Sequence, residues 1–435
     1  MYIPSTVLEL MNRLEDAGFE CYCVGGCVRD HLMGIQPHDY DCCTSATPEE
    51  MQQIFVGRQL VLAGLKHGTV AVVTEDGIVE ITTYRTEGGY ADSRHPDWVR
   101  FVRNLREDLA RRDFTVNAMA YSPRRGLSDP FGGQEDLQNG ILRAVGDPDL
   151  RFREDALRIL RGLRFAARFG FRLEENTRQA MDRQIAGLDA LARERVMTEL
   201  EGFLLAAKAA DLQNAANILC RCIPELAPTV GFQQHSRHHI HDVFGHTAAV
   251  VEAAPPTTTL RLAALLHDIS KPSVFTLDEA GEGHFFGHAA RSAEIADEIL
   301  HRLKASNALR EEVNFLVKHH MDLYSAEEKT ARRLLSRHGL ERMERLLDLQ
   351  TADMGGRSKE LESLRQMLRT LAEKEGSLTL KTLAVKGADL MALGIPPGPE
   401  LGKTLNRILE KVLAGELPND REAILASLLN LDKTS

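Results

Sequence analysis

The sequence lacks any apolar run of roughly 18 residues or more, the length that a membrane-spanning helix needs. Its first residues, MYIPSTVLELMNRLEDAG, also lack the basic segment and apolar core of a signal peptide. We therefore expect a cytoplasmic protein with no membrane partner. Internal repeats of about 20 to 50 residues and low-complexity tracts are missing too, which argues against a repeat architecture.

CxxC pairs and zinc-ribbon spacings are absent among the seven cysteines, whose number is odd. We interpret the cysteines as reduced, partly buried apolar residues. An excess of positive charge is missing as well, since the formal net charge is -10. Phosphate binding depends on local fields, however, and arginines outnumber acidic residues between Arg94 and Arg125 and between Arg151 and Arg195.

Strand-like and helix-like segments alternate up to about Asp147, beginning with an amphipathic helix near residues 6–17. After that point strand signals nearly vanish, and successive amphipathic helices follow, with breaks near 224–232, 255–256 and 355–358. The pattern predicts an α+β protein, a head with a small mixed or antiparallel sheet followed by helices. The predicted domains are a head (1–147), a helical neck (148–225), a helical body (226–355) and a helical tail (356–435).

Two aspartates, Asp39 and Asp41, lie in the stretch HDYDCC. On a strand, residues two apart share one face, so both carboxylates would lie a few ångströms apart and need a cation. Mg²⁺ suits this position because it binds carboxylate and phosphate oxygens together, and two such ions assist nucleotidyl transfer. A lone DxD is usually a solvated strand end, so its neighbours decide the interpretation.

The neighbouring residues favour the catalytic interpretation. Gly25 and Gly26 let the backbone approach a triphosphate, and Arg29 supplies a guanidinium to it. Glu80, in GIVEITTYR, lies on another strand-like run and is a candidate third carboxylate. The glycine pair, Arg29 and the aspartates form one short block, which predicts a phosphate-transfer site.

The stretch VGGCVRDHLMG followed by HDYDCCTSATPEE resembles the signature of the DNA polymerase beta nucleotidyltransferase superfamily. The likeness is to its class II branch of tRNA nucleotidyltransferases and bacterial poly(A) polymerases. It continues in order through TTYRTEGGYADSRHPDWVRF, RRDFTVNAMAY, DPFGGQEDLQNGILRAVGDP, RFREDALRILRGLRFAARFGF and ERVMTEL. Because several motifs recur in order over residues 22–204, the resemblance is specific and implies a polymerase-beta-like head.

By this resemblance, Asp39 and Asp41 would ligate the catalytic Mg²⁺ ions. Asp113 and Asn117 would help to shape the sugar pocket. The residues expected to hold the triphosphate are Gly26, Arg29 and Arg112. The implied substrates are CTP, ATP and the 3′ end of tRNA.

The motif EDALRILRGLR is expected to select the base. On one helix Asp155, Arg158 and Arg161 would lie close to one face. A guanidinium that donates to base acceptors, beside a carboxylate that accepts from an exocyclic amine, imitates a Watson-Crick edge and would select CTP and ATP. Arg161 and Arg164 would then face phosphates. An isolated DxxR would more simply be an ion pair on a solvated helix.

Three features favour CCA addition. Poly(A) polymerases of this branch usually show EDPVR where this chain has EDALR, and the stretch 385–422 resembles the tail with which CCA-adding enzymes hold tRNA. The loop RTEGGYADSRHP keeps Arg85, Asp92 and Arg94, which favours a complete CCA-adding enzyme. Template-independent CCA addition is therefore the expected function. The alternative of the same fold is a poly(A) polymerase or a partial CC- or A-adding enzyme, and the oligomeric state stays open.

A second constellation of histidines and aspartates lies in the helical body. Its order H, HD, H, H, D resembles the HD-domain phosphohydrolase pattern, and such ligands suit a divalent transition metal (Mn, Ni, Co or Fe). The candidate ligands are His246, His267, Asp268, His288, His320 and Asp353, with His319 competing with His320. An HD phosphohydrolase whose head only binds nucleotide is thus the alternative of another class. The histidines expected in a surface loop are His235, His238, His239 and His241.

Overall fold

The computed structural model describes residues 1–88, 98–235, 241–356, 358–375 and 378–431. The chain divides into two compact units, Met1–Ala227 and Pro228–Ser435. This division lies two residues from the predicted boundary at 225/226. The boundaries at 147/148 and 355/356 stay predictions.

The first unit carries most of the strands. Its strands are β1 Cys21–Val24, β2 Cys42–Thr44, β3 Leu60–Val61, β4 Thr69–Thr74, β5 Gly77–Thr83, β6 Arg85–Gly88, β7 Trp98–Phe101, β8 Ala120–Ser122, β9 Gly126–Ser128, β10 Ile141–Leu142 and β11 Arg172–Leu173. Its helices are α1 Ser5–Asp16, α2 Gly26–Leu32, α3 Pro48–Ile54, α4 Leu105–Ala110, α5 Gly133–Gln138, α6 Pro148–Glu154, α7 Leu157–Phe169, α8 Glu175–Arg183, α9 Arg193–Ala206, α10 Ala209–Asn214 and α11 Ala216–Cys222. Short 3₁₀ helices lie at Leu65–His67, Thr115–Asn117, Ile185–Ala190 and Pro224–Thr229.

A seven-stranded mixed sheet in the order β3-β4-β5-β2-β1-β8-β9 forms the centre of the head. Strand β2 pairs antiparallel with β1 and parallel with β5, so it lies in the middle of the sheet. Because consecutive strand residues point to opposite faces, Cys42 joins one apolar core and Cys43 the other. The predicted α+β class, a small mixed sheet followed by helices, is confirmed.

The strand predicted over HDYDCC is shorter than expected. Strand β2 begins only at Cys42, and the chain before it, including Asp39 and Asp41, is outside the sheet ladder. The backbone N–H of Val24 still donates to the carbonyl of Asp41 at 3.0 Å, which fixes the second aspartate beside the end of β1. The two carboxylates therefore lie just before the strand.

The single helix predicted to carry Asp155, Arg158 and Arg161 is two helices, and this corrects the expected site geometry. Helix α6 ends at Glu154 and α7 begins at Leu157, with Asp155 between them in an extended conformation (φ -145°). The Asp155 carboxylate accepts the backbone N–H of Leu157 at 3.0 Å, a local bond that competes with helix continuation. The prediction that Asp155 shares a helix with Arg158 and Arg161 is therefore wrong.

The second unit is almost entirely helical. Its helices are α12 Val243–Ala253, α13 Thr258–Leu266, α14 His288–Arg302, α15 Asn307–His319, α16 Glu328–His338, α17 Leu340–Asp353, α18 Lys359–Glu375, α19 Gly387–Ala392, α20 Pro399–Leu413 and α21 Arg421–Leu431. A hairpin of β12 Thr276–Leu277 and β13 Gly283–His284 and a 3₁₀ helix at Lys271–Ser273 interrupt the series. The last segment has its own apolar core, which includes Leu383, Leu390, Ile408 and Ile424.

The cysteines agree with the sequence analysis, because all seven are free and six of them are buried. Within the described residues, no helix combines the length and the apolar character needed to pass through a membrane.

Candidate active site and candidate metal centre

Asp39 and Asp41 flank a buried tyrosine. Tyr40 points into the core beneath the sheet, whereas both aspartates are exposed, so the two carboxylates lie away from that core. The surrounding protein still desolvates the Asp41 carboxyl in part and raises its pKa, which Arg112 opposes and Asp39 increases further. Asp41 thus lies near both a guanidinium and a second acid.

The turn after β1 brings backbone close to Arg112. Gly25 has a left-handed conformation (φ 76°), and a Cβ there would lie 2.8 Å from Nη1 of Arg112. The Gly25 N–H donates to the carbonyl of Met119 at 3.1 Å. The buried Nε of Arg112 has no hydrogen-bond partner within the described part of the chain. Gly25 is therefore required for both conformation and space, and Arg112 retains hydrogen-bonding capacity.

Arg29 lies on α2, directly after this turn, and is 5% exposed. Its Nε and Nη2 donate to Asp30 Oδ1 at 2.8 Å and 2.6 Å, and its Nη1 donates to Asn117 Oδ1 at 2.6 Å. A guanidinium has five N–H groups, so two of them have no partner among the described residues. Arg29 is held rigidly and can still donate to a ligand.

Asn117 extends this network to helix α7. Its Nδ2 donates to Asp113 Oδ1 at 3.1 Å, and the Nε of Arg161 donates to Asp113 Oδ2 at 2.9 Å. Burial tends to raise the pKa of Asp113, but Arg161 and Asn117 outweigh burial and lower it. One hydrogen-bonded chain therefore joins α2, the RRD motif and α7.

The remaining base-selection candidates are bound to protein groups. Arg158 is 8% exposed, and its Nη1 donates to Glu154 Oε2 at 3.0 Å. Arg195 donates to Asp155 Oδ2 at 3.0 Å, and Arg164 donates to Glu199 Oε2 at 2.6 Å. Arg195 and Glu199 lie within the ERVMTEL motif and were given no role from sequence; their spacing on one helix was the available signal. From helix α9, Arg195 and Glu199 therefore hold the side chains of Asp155 and Arg164 in place.

Glu80 is exposed on β5. Because Cys42 pairs with Ile81 in the parallel β2–β5 ladder, Glu80 lies at the level of Asp41 on the neighbouring strand. The role of Glu80 as a third carboxylate stays a prediction. Of the loop residues, Asp92 and Arg94 lie outside the described residues.

In the second unit, six side chains converge from helix ends. His246 lies on α12, His288 begins α14, Asp353 ends α17, and the other three follow the ends of α13 and α15. Three groupings of these side chains have ligand atoms within 4.8 Å of one another. The members are His246, His267, Asp268, His288, His320 and Asp353. The structure therefore brings together all six predicted ligands.

Three of the imidazoles have the same tautomer. The Nδ1 atoms of His267, His288 and His320 lie 2.7–2.8 Å from backbone carbonyls three residues earlier, so each Nδ1–H donates and each Nε2 is left as an acceptor. The Nε2 atoms of His288 and His320 are 3.3 Å apart. Two facing lone pairs repel, and a cation between them would remove that repulsion.

Buried orphan atoms give a second indication of a cation. Both carboxylate oxygens of Asp268 and the Nε2 of His267 are buried without a hydrogen bond in the described part of the protein. Lys271 Nζ lies 2.7 Å from Asp268 Oδ2 as an ion pair, without hydrogen-bond geometry, and donates to Gln234 Oε1 at 3.0 Å. Lys271 and Gln234 were missed from sequence, although the i,i+3 spacing to Asp268 was visible. The donor set fits a divalent metal ion.

The pKa values of His267 and His320 in this cluster are shifted by burial and by two neighbouring carboxylates. Burial alone would lower the pKa of His267, but Asp268 and Asp353 raise it to about 10. Burial and the charge on His267 lower the pKa of His320 to about 4. The two buried acids thus favour positive charge at the cluster, and a bound metal ion would supply that charge while leaving the Nε2 atoms unprotonated.

His319 points away from this cluster, towards Asp322, Phe315 and His338. Among the loop histidines, His235 packs on Phe275 and His241 is exposed. His238 and His239 lie outside the described residues.

Comparison with protein families agrees with the head geometry. The family model for the head domain of poly(A) polymerases matches residues 21–143, which include the aspartate pair and Arg112. A model described as a putative domain 2 of tRNA nucleotidyltransferases matches residues 285–428. That match extends across the predicted boundary at 355/356.

Full-length relatives are similar to the whole chain. The CCA-adding enzyme of Streptococcus thermophilus is 37% identical over 442 residues, covering 98% of this chain and 97% of that protein. The CCA-adding enzyme of Geobacillus kaustophilus is 35% identical over 431 residues, covering 98% and 97%. The crystal structure of the Bacillus stearothermophilus CCA-adding enzyme in complex with CTP matches at TM-score 0.75 and 30% identity, covering 100% of this chain and 99% of that chain.

The head fold and its acidic, arginine-rich site define a nucleotidyltransferase. The chain belongs to the family of CCA-adding enzymes, and the predicted family is thereby confirmed. Nucleotidyltransferases of this family generally use a divalent metal ion.

Proposed function

We infer that the protein adds CCA to the 3′ end of tRNA from CTP and ATP, without a nucleic-acid template. The observation that carries this conclusion is the exposed Asp39 and Asp41 pair beside the Gly25 turn and Arg112. Its chemistry suits nucleotidyl transfer, and full-length relatives are CCA-adding enzymes. Because CTP, ATP and tRNA are cytoplasmic substrates, we place the reaction in the cytoplasm.

Asp39 and Asp41 would hold Mg²⁺. The donor set fits, since the raised pKa of Asp41 reflects a desolvated acid beside a second acid, and a hard cation relieves both effects. Bound Mg²⁺ would supply Lewis-acid activation of the 3′-hydroxyl and charge stabilisation at the α-phosphate. Glu80, on the adjacent strand, would support the same site.

The arginines would hold and read the nucleotide. Arg112 and Arg29 would donate to triphosphate oxygens, and the backbone at Gly26 starts α2 beside them. Asp155 would present an acceptor and Arg158 a donor to the base edge. Asp155 lies at the junction before α7 and Arg158 lies on α7, so the two do not share one helix face. Arg161 and Arg164 would keep their carboxylate partners and donate their other N–H groups to phosphates.

The direct test incubates the full chain with Mg²⁺, labelled CTP or ATP, and tRNA that lacks its 3′ end. We expect two C additions followed by one A, read by product sequencing. Runs of A, or C additions alone, would instead identify the alternatives of the same fold. Asp39→Asn and Asp41→Asn should abolish incorporation and keep tRNA binding, whereas the exposed turn variant Asp76→Asn should behave as the parent protein.

A second candidate function belongs to the six-residue cluster of the second unit. The Nε2 lone pairs that face into the cluster and the orphan Asp268 oxygens favour a divalent transition metal and a phosphohydrolase activity. Lys271, buried beside Asp268, would bind a substrate phosphate. Hydrolysis of a chromogenic phosphodiester after loading with Mn²⁺ tests this activity, and the absence of hydrolysis in the metal-loaded protein would refute it.

A further inference from the structure

Helix α7 ends in a cluster of phenylalanines. The rings of Phe165 and Phe169 are nearly parallel (13°), with centroids 5.9 Å apart, and Phe171 packs on Phe169 at 5.6 Å. Phe165 is buried, whereas Phe169 and Phe171 are partly exposed. The first two rings are one turn apart on the helix that also carries Arg158 and Arg161.

Guanidinium groups cover two of these rings. Arg29 lies 4.6 Å from the Phe169 centroid and 5.4 Å from that of Phe165. Arg161 lies 5.2 Å from the Phe165 centroid. Arg29 comes from α2, at the glycine turn, and Arg161 comes from α7 itself. The rings therefore connect the two parts of the site by cation–π contacts, which are strongest where water is excluded.

A series of side-chain hydrogen bonds also connects α2 to α7. Arg29 binds Asn117, Asn117 binds Asp113, and Asp113 binds Arg161. Arg29 is thus fixed at its edge by hydrogen bonds and at its face by aromatic rings. The hydrogen bonds use three of the five N–H groups of Arg29, so two remain for a ligand.

We propose that Phe165 and Phe169 are positioning residues that orient Arg29 towards the triphosphate. Helix α7, which reads the base, then also positions the guanidinium that binds the triphosphate. A wrong base that displaces α7 would therefore weaken both base recognition and triphosphate binding. This inference rests on the proposed function of Arg29. The rings do not contact the reacting atoms and act only through the guanidinium.

The test compares the affinities of CTP and CMP, because only CTP offers the β- and γ-phosphates. Phe169→Leu should lower the ratio of CTP affinity to CMP affinity about tenfold, while CMP affinity stays unchanged. Phe169→Tyr keeps a ring under Arg29 and should restore the ratio. The matched control Phe171→Leu removes a ring of the same cluster that carries no guanidinium among the described residues, and should leave the ratio unchanged.

A double-mutant cycle with Arg29→Lys separates this inference from the proposed function. If Arg29→Lys leaves the CTP to CMP ratio unchanged, the proposed role of Arg29 fails. If Arg29→Lys lowers the ratio and Phe169→Leu does not, only the role of the rings is overturned. If the roles of Arg29 and of the rings are both correct, adding Phe169→Leu to Arg29→Lys should lower the CTP to CMP ratio little further. Should Phe169→Leu not fold, Phe169→Met, which keeps the volume, replaces it in every comparison.

Discussion

Arg161 and Asp113 form a close ion pair, with Nε and Nη2 of the guanidinium 2.9 Å and 2.8 Å from the same carboxylate oxygen. Asp113 belongs to the RRD motif of the head, and Arg161 belongs to helix α7, 48 residues later. Because Asp113 is buried, the pair is shielded from solvent on that side. It fixes helix α7 to the head.

Replacing Arg158 with lysine should relax the choice of base. Lysine keeps the charge but loses the planar fork, and one good bidentate contact discriminates by about 1–3 kcal/mol. We expect discrimination between CTP and UTP to fall by about tenfold or more, measured as the ratio of single-nucleotide incorporation rates. Arg153→Lys, an exposed substitution on the preceding helix, is the control and should keep discrimination. Equal discrimination in both variants would contradict the role of Arg158.

The pH dependence of stability should reveal the Asp113–Arg161 pair. The pKa of Asp113 in the folded protein is below its ordinary value of 3.8, chiefly because Arg161 outweighs burial. A carboxyl of this kind contributes stability that is present above pH 3.8 and is lost as the pH falls through the lowered pKa. Asp113→Asn should therefore destabilise the protein more at neutral pH than in acid.

Urea unfolding followed by the fluorescence of Trp98, the single tryptophan, measures this difference in the first unit. Asp182→Asn, which removes an exposed partner of Arg178, should cost little at either pH. A pH-independent cost of Asp113→Asn would show that the pair adds no net electrostatic stability.

The two adjacent histidines should differ in metal binding. His320 directs Nε2 into the cluster with His288 and Asp268, whereas His319 bonds to Asp322 outside it. After loading with Mn²⁺ and dialysis, His320→Ala should retain much less metal than the parent, and His319→Ala should retain the parent amount. Elemental analysis gives both values, and similar retention by the two variants would overturn the ligand set.

Two glycines should respond oppositely to alanine. At Gly133 a Cβ would lie 2.2 Å from the backbone oxygen of Thr115, so Gly133→Ala forces the backbone apart and should cost about 1–3 kcal/mol. At Gly402, inside α20, nothing lies within 4 Å, and alanine should stabilise the helix by up to about 1 kcal/mol. Thermal unfolding of both variants checks the signs. A neutral Gly133→Ala would show that α5 shifts freely.

Residues that are close in sequence were predictable. The glycine turn, Arg29 and the two aspartates form one block because they lie on the consecutive segments β1, α2 and the chain entering β2, and local patterning shows this directly. The helix junction at Asp155 was not predictable from periodicity, since a side chain that caps the next helix has the same polarity as one on a solvated helix face.

The sequence by itself determined the mixed head followed by helices, the acidic pair, the arginine-rich motifs and the six candidate ligands of the second unit, since each depends on local spacing. Only the tertiary structure decided which partner each buried charge takes. Asn117 and Asp113 connect Arg29 to Arg161, and Nδ1–H bonds to backbone carbonyls turn three imidazoles inward. Those choices depend on which distant groups share a site without water, and spacing along a chain carries no information about that.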